Sequence, residues 1–177
     1  MGNKAQTILD RIMESVSRDV YDEILSECGD LGEKPTPARQ AKYVVLLMDK
    51  MKVLFNDEQI KRIMTGCGHT CISNGIIEKA KKIYAGSSDL NDFLAKLNRE
   101  HIGGGNLYSE GEKIIGVYKT CYCGLAKQAK GLSADYCNCS AGWFEKLFSS
   151  VYEKDAKVEK RSTILGGAAE CVFEITI

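Results

Sequence analysis

The hydrophobic periodicity of this chain changes character once, at the triplet Gly103-Gly104-Gly105. Before it, apolar residues recur at helical spacing; after it, they alternate as they do on strands with one buried face. A chain of this kind is confined to architectures in which a helical segment packs on a sheet. Two Gly-rich segments and one helical stretch divide the second half into strand, strand, helix, strand, strand.

The first half reads as a series of helices. Residues 5–28 place Ile8, Ile12, Val16, Val20 and Ile24 at four-residue steps, predicting one amphipathic helix that ends at Gly29. Thr36 followed by Pro37 marks an N-cap with proline at the first helical position, opening a helix over about 37–55. Asn56 caps a short helix that is expected to stop at Gly66. A further helix ends at Gly86, and Ser88 can cap the one over DLNDFLAKLNREH.

Beyond the triplet, NLYSEGEKIIGVYKTCYC predicts a hairpin turning at Glu110-Gly111, its second strand carrying Cys121 and Cys123. A loop leads to a helix over SAGWFEKLFSSVYE, for which Ser140 is the expected N-cap. Trp143, Phe144, Leu147 and Phe148 share helical spacing, the pattern of a core stripe. After Gly166-Gly167 the last strand alternates Cys171, Phe173, Ile175 and Ile177 with Val172, Glu174 and Thr176. The expected fold is α+β, with N-terminal helices packed on a four-stranded antiparallel sheet. A length of 177 residues suits one domain, 1–177, with a mainly helical part over 1–102 and the sheet and one helix over 103–177.

Twenty-four Lys and Arg balance 24 Asp and Glu, so no basic footprint points to nucleic acid or an anionic membrane. No apolar run reaches the length of a membrane span, and MGNKAQTILDR lacks the apolar centre of an export signal. The expected setting is therefore cytoplasmic, where thiols bind metal or do chemistry more often than they form bridges.

Eight cysteines are present, and six come in pairs: Cys67/Cys71, Cys121/Cys123 and Cys137/Cys139. Strand alternation would point Cys121 and Cys123 to one face. Cys67 and Cys71 share a face if their segment is helical. Cys137 and Cys139 precede the helix at Ser140, and a helix amino terminus favours thiolate over thiol. Cys28 and Cys171 stand alone and read as small buried hydrophobes.

Three uses of the pairs compete. A bridge within Cys-x-Cys would span roughly 6.5–7 Å between alpha carbons, at the edge of disulfide geometry. As metal ligands, Cys121, Cys123, Cys137 and Cys139 supply four soft donors for zinc or an iron–sulfur centre. Cys67 and Cys71 would then be extra ligands or a redox-active pair. Lys119, Lys127 and Lys130 are the cations expected to offset the thiolate charge. As a nucleophile, one low-pKa cysteine would need a base, and the chain holds only His69 and His101. His69, inside CGHTC, is the less favoured additional ligand. His101 reads as a cation at a helix end. The glycine triplet lacks the strand before and the Lys-Ser/Thr after that a phosphate loop requires.

The segments CGHTC, FLAKLN with IGGG, VYKTCYC, YCNCSAGWFEKLF and STILGGAAECVFEITI together resemble a family of uncharacterised cysteine-rich bacterial and archaeal proteins, over roughly residues 60–177. The closing strand, glycine turn and Cys-x-Phe-x-Ile are also similar to the end of 4-vinyl reductase-like and amino-thiazoline-carboxylate hydrolase-like domains. This resemblance implies an α+β ligand-binding fold in a superfamily that often pairs protomers. The leading expectation is a metal-binding domain. The alternatives are a cysteine- or metal-dependent hydrolase of a small heterocyclic or amide substrate, and a small-molecule sensor. Partners are expected to be a small ligand and a second copy of the chain, with neither nucleic acid nor membrane.

Overall fold

The computed structural model describes residues 3–177. Six helices come first: α1 (Lys4–Met13), α2 (Arg18–Cys28), α3 (Pro37–Leu54), α4 (Asp57–Cys71), α5 (Asn74–Ala85) and α6 (Leu90–Arg99). The glycine triplet, with all three residues at positive φ, forms a kinked turn over Ile102–Gly105 that leads into strands β1 (Leu107–Glu110) and β2 (Lys113–Tyr118). A short helix α7 (Gly124–Gln128) and a 3-10 turn (Ala134–Cys137) precede α8 (Asn138–Tyr152). Strands β3 (Lys157–Ser162) and β4 (Cys171–Thr176) close the chain.

The sheet is antiparallel with order β1-β2-β4-β3, so the fold is the α+β arrangement that the alternating pattern implies. Gly116 of β2 sits opposite Phe173 of β4, and an added methyl group there would stand 2.8 Å from the Phe144 ring. That contact seats α8 on the sheet. On the same face Phe173 and Ile175 are fully buried, together with Phe144 and Phe148 of the helix. On the other face Glu174 is covered by Lys113 and Arg161, which bind its two carboxylate oxygens from the neighbouring strands.

Several boundaries differ from the sequence reading. The stripe over 5–28 is two helices, because Ser17 adopts an extended backbone and opens α2. Ile8, Ile12 and Ile24 still face one core, which accounts for the continuous apolar spacing across the break. Asp89 rather than Ser88 caps α6, accepting from the Asp92 N–H at 2.9 Å. The 103–177 part carries the short α7 besides α8.

The interior is in two parts. Helices α1 to α4 and the segment around α7 enclose Ile8, Ile12, Leu47, Met48, Met51 and Met64. Helices α5, α6 and α8 and the sheet enclose Phe93, Phe144, Phe148 and Phe173. The seam between them is the pairing of α4 with α8, and the paired cysteines lie along it.

Candidate functional site

Two glycines decide the seam. A methyl group added to Gly68 would stand 2.1 Å from the Cys139 carbonyl oxygen, and one added to Gly142 would stand 2.1 Å from the Thr65 carbonyl oxygen. Backbone thus meets backbone, a separation only glycine permits. The helix expected to stop at Gly66 therefore continues to Cys71, since these glycines keep a helical backbone and serve contact rather than capping. Cys67 and Cys71 consequently share the C-terminal end of α4, where the dipole opposes a thiolate.

The other pairs shift similarly. Strand β2 ends at Tyr118 because its partner residue, Cys171, is the first of β4, and beyond it the ladder has no partner. Cys121 and Cys123 therefore lie in the following loop, with Cys123 at the N-cap position of α7. The 3-10 turn Ala134–Cys137 runs straight into α8, so Ser140 is its third residue and Cys139 is in its first turn.

Despite these shifts, five of the six paired cysteines meet. Cys71, Cys121, Cys123, Cys137 and Cys139 line one cavity of about 330 Å³, joined by Cys171. The wall also includes Lys4, His101, Gly103 and Gly104, and the rings of Tyr118, Tyr122, Tyr136 and Trp143. Gly104, at φ +84°, lets the chain pass against Tyr118, whose ring would be 2.6 Å from an added methyl group. The sixth paired residue, Cys67, opens onto a second cavity of about 320 Å³. Lys4, Cys71, Tyr136 and Cys139 line both and form the partition. Among the described residues, no three His, Cys, Asp or Glu side chains converge tightly enough to hold one metal ion. The sulfurs stand around a space instead of about a point.

Their proton affinities diverge. The Cys139 thiol hydrogen-bonds Cys71, and Lys4 adds its charge, bringing Cys71 down to about 6 against the cost of burial. Cys139 is held well above the usual thiol range by that same hydrogen bond and by burial. Burial pushes Cys123 up. The Tyr136 hydroxyl at 3.4 Å, the Ala126 N–H and Lys4, whose Nζ is 3.4 Å from the sulfur, together outweigh it and lower the thiol. Burial raises Cys137 to about 11 and Cys67 to about 12. Cys171 is raised by burial, although its sulfur accepts the Ile164 N–H at 3.3 Å.

His69 is placed elsewhere. It lines a separate surface hollow with Arg11 and Glu145, its Nε2 3.7 Å from a Glu145 oxygen. Lys119 pairs with Glu170 at 2.6 Å, and neither Lys127 nor Lys130 lines the cavity. Lys4 takes the charge-offsetting position assigned to them. The sequence reading missed Lys4, His101 and Cys171 as wall residues. Cys171 is buried on the apolar face, as its alternation indicates, and the cavity borders the end of that face. His101 lies beyond α6 with φ 53°, a left-handed backbone conformation. Cys28 is half-buried against the α1–α4 core, away from the cavity.

These features define an α+β protein with a sulfur-lined cavity at the junction of its two cores. The chain belongs to a family of unknown function, DUF6144, whose pattern it matches over residues 3–177. No curated protein matches the sequence. Among solved structures it is similar to an H-NOX protein from S. oneidensis in the Fe(II)NO ligation state, at 12% identity and TM-score 0.48, with 99% of this chain and 98% of that chain covered.

Proposed function

We propose that the cavity holds a polynuclear iron–sulfur centre ligated by cysteine thiolates. The carrying observation is that six cysteines from separate segments surround one space of about 330 Å³. A single zinc ion draws four donors to one point, whereas each metal of a cluster takes its own thiolate at the cluster's edge. The ligands are drawn from Cys71, Cys121, Cys123, Cys137 and Cys139, with Cys171 adjoining. Cys67 stands behind the partition. Lys4 offsets part of the thiolate charge, and the buried Tyr136 ring limits water on its side, both of which tune the reduction potential of such a centre.

The finer resemblance to 4-vinyl reductase-like and hydrolase-like domains rests on the β3–β4 hairpin, and no residue role is taken from it. The His101, Tyr118, Tyr122 and Trp143 side of the cavity suits a small ligand beside the centre.

The test is anaerobic reconstitution of the reduced chain with ferrous iron and sulfide, followed by assay of bound iron and acid-labile sulfide. More than one iron with matching sulfide per chain, lost in Cys121→Ser and Cys139→Ser, is expected. One zinc per chain without sulfide, or no retained metal, would overturn the proposal.

A further inference from the structure

The partition between the two cavities has a chemistry of its own. Cys71 ends α4, Cys139 lies in the first turn of α8, and both side chains line the two cavities where these helices meet. Their approach is imposed by the fold, since Gly68 lies one turn before Cys71 and packs directly against the Cys139 backbone. Cys71 is exposed, whereas Cys139 is less accessible, and both face the two cavities. Lys4 reaches the same place from α1.

We infer that Cys71 and Cys139 form a redox-active dithiol that closes to a disulfide by exchange with a low-molecular-weight disulfide, acting as a two-electron switch on the sulfur-lined cavity. The exposed Cys71 is the attacking sulfur and Cys139 the resolving one. The Cys71 thiolate bonds to one sulfur of the reagent, the reagent's S–S bond breaks, and the first small thiolate leaves and takes a proton from solvent. Cys139 then gives up its proton and attacks the Cys71 sulfur. The mixed disulfide breaks, and the second small thiol is released with that proton. Two protein thiols are oxidised and one small disulfide is reduced to two thiols.

The switching half of the inference rests on the metal reading, because closure would withdraw two sulfurs from the ligand set. The exchange itself does not. The experiment uses the full chain, reduced, stripped of metal with a chelator and treated anaerobically with oxidised glutathione. Non-reducing peptide mapping is expected to find one cross-link, Cys71–Cys139, forming ahead of any other. Cys139→Ser should accumulate the glutathione adduct on Cys71, and Cys71→Ser should yield neither species. Differential alkylation of the unsubstituted chain gives the same assignment if a variant fails to fold. A first adduct on another cysteine, or a first cross-link between other residues, would overturn the inference. Reconstitution with iron and sulfide should fail in the cross-linked protein and return after dithiothreitol. Cross-linking in a chain that takes up no iron even when reduced would sustain the dithiol and overturn the metal reading. Full cluster uptake by the cross-linked protein would overturn the switch.

Discussion

Replacing Gly142 with alanine would place a methyl carbon 2.1 Å from the Thr65 carbonyl oxygen, 2.7 Å from its carbonyl carbon and 2.8 Å from its alpha carbon. All three are backbone atoms, so no side-chain rotation relieves the overlap. Helices α4 and α8 must separate by about 1 Å, against interiors packed as densely as organic crystals. Overpacking of this kind costs about 1–3 kcal/mol, and backbone-to-backbone contact puts it at the upper end. For a chain of this size that corresponds to a fall in Tm of about 5–10 °C. Separation also carries Cys139 away from Cys71, removing the largest contribution that holds Cys71 low. Circular-dichroism melts together with the pH dependence of Cys71 alkylation would read both effects. Gly75→Ala is the control: its added methyl meets only the Ser73 hydroxyl at 4.0 Å, and it should leave Tm unchanged or slightly raised. A Gly142→Ala protein with the parent's Tm and alkylation profile would refute the close α4–α8 seam and the site built on it.

Other outcomes follow from the proton affinities of the metal-free, reduced chain. Cys71 alkylation by iodoacetamide should rise as pH increases through about 6 and then level off, because the thiolate is the reacting form; a midpoint near that of a free thiol would contradict the hydrogen bond from Cys139. Lys4→Gln should move that midpoint upward and slow the reaction several-fold just above pH 6, since the amine charge is removed from both Cys71 and Cys123. Cys67, pushed up to about 12 by burial, should stay unmodified in the folded protein at pH 8 and react only on unfolding, as peptide mapping with and without denaturant would show.

The sheet was legible in the sequence because alternation is a local property: Cys171, Phe173 and Ile175 point to the buried face whatever covers it. Helix termini were legible where a cap is local, as at Thr36 and Asn56. Gly66 misled because a glycine inside a helix leaves the same trace as one that ends it, and the contact that carries α4 past it, of Gly68 and Thr65 with the segment around Gly142, lies more than seventy positions away. The break at Ser17 was hidden because α1 and α2 bury residues against the same core. The cysteine pairs could be read as groups, yet their common cavity depends on the α4–α8 contact. Lys4, His101 and Cys171 carried no local signal, for they join the wall only when the two halves of the interior meet.

The sulfurs are proposed to enclose a centre of several metal atoms. Native mass spectrometry of the anaerobically purified chain measures this directly. A mass increment of several irons with inorganic sulfides is expected, retained in Lys4→Gln and lost when Cys121 and Cys139 are both replaced by serine. An increment of one metal ion without sulfide, or the bare mass of the chain after reconstitution, would contradict it.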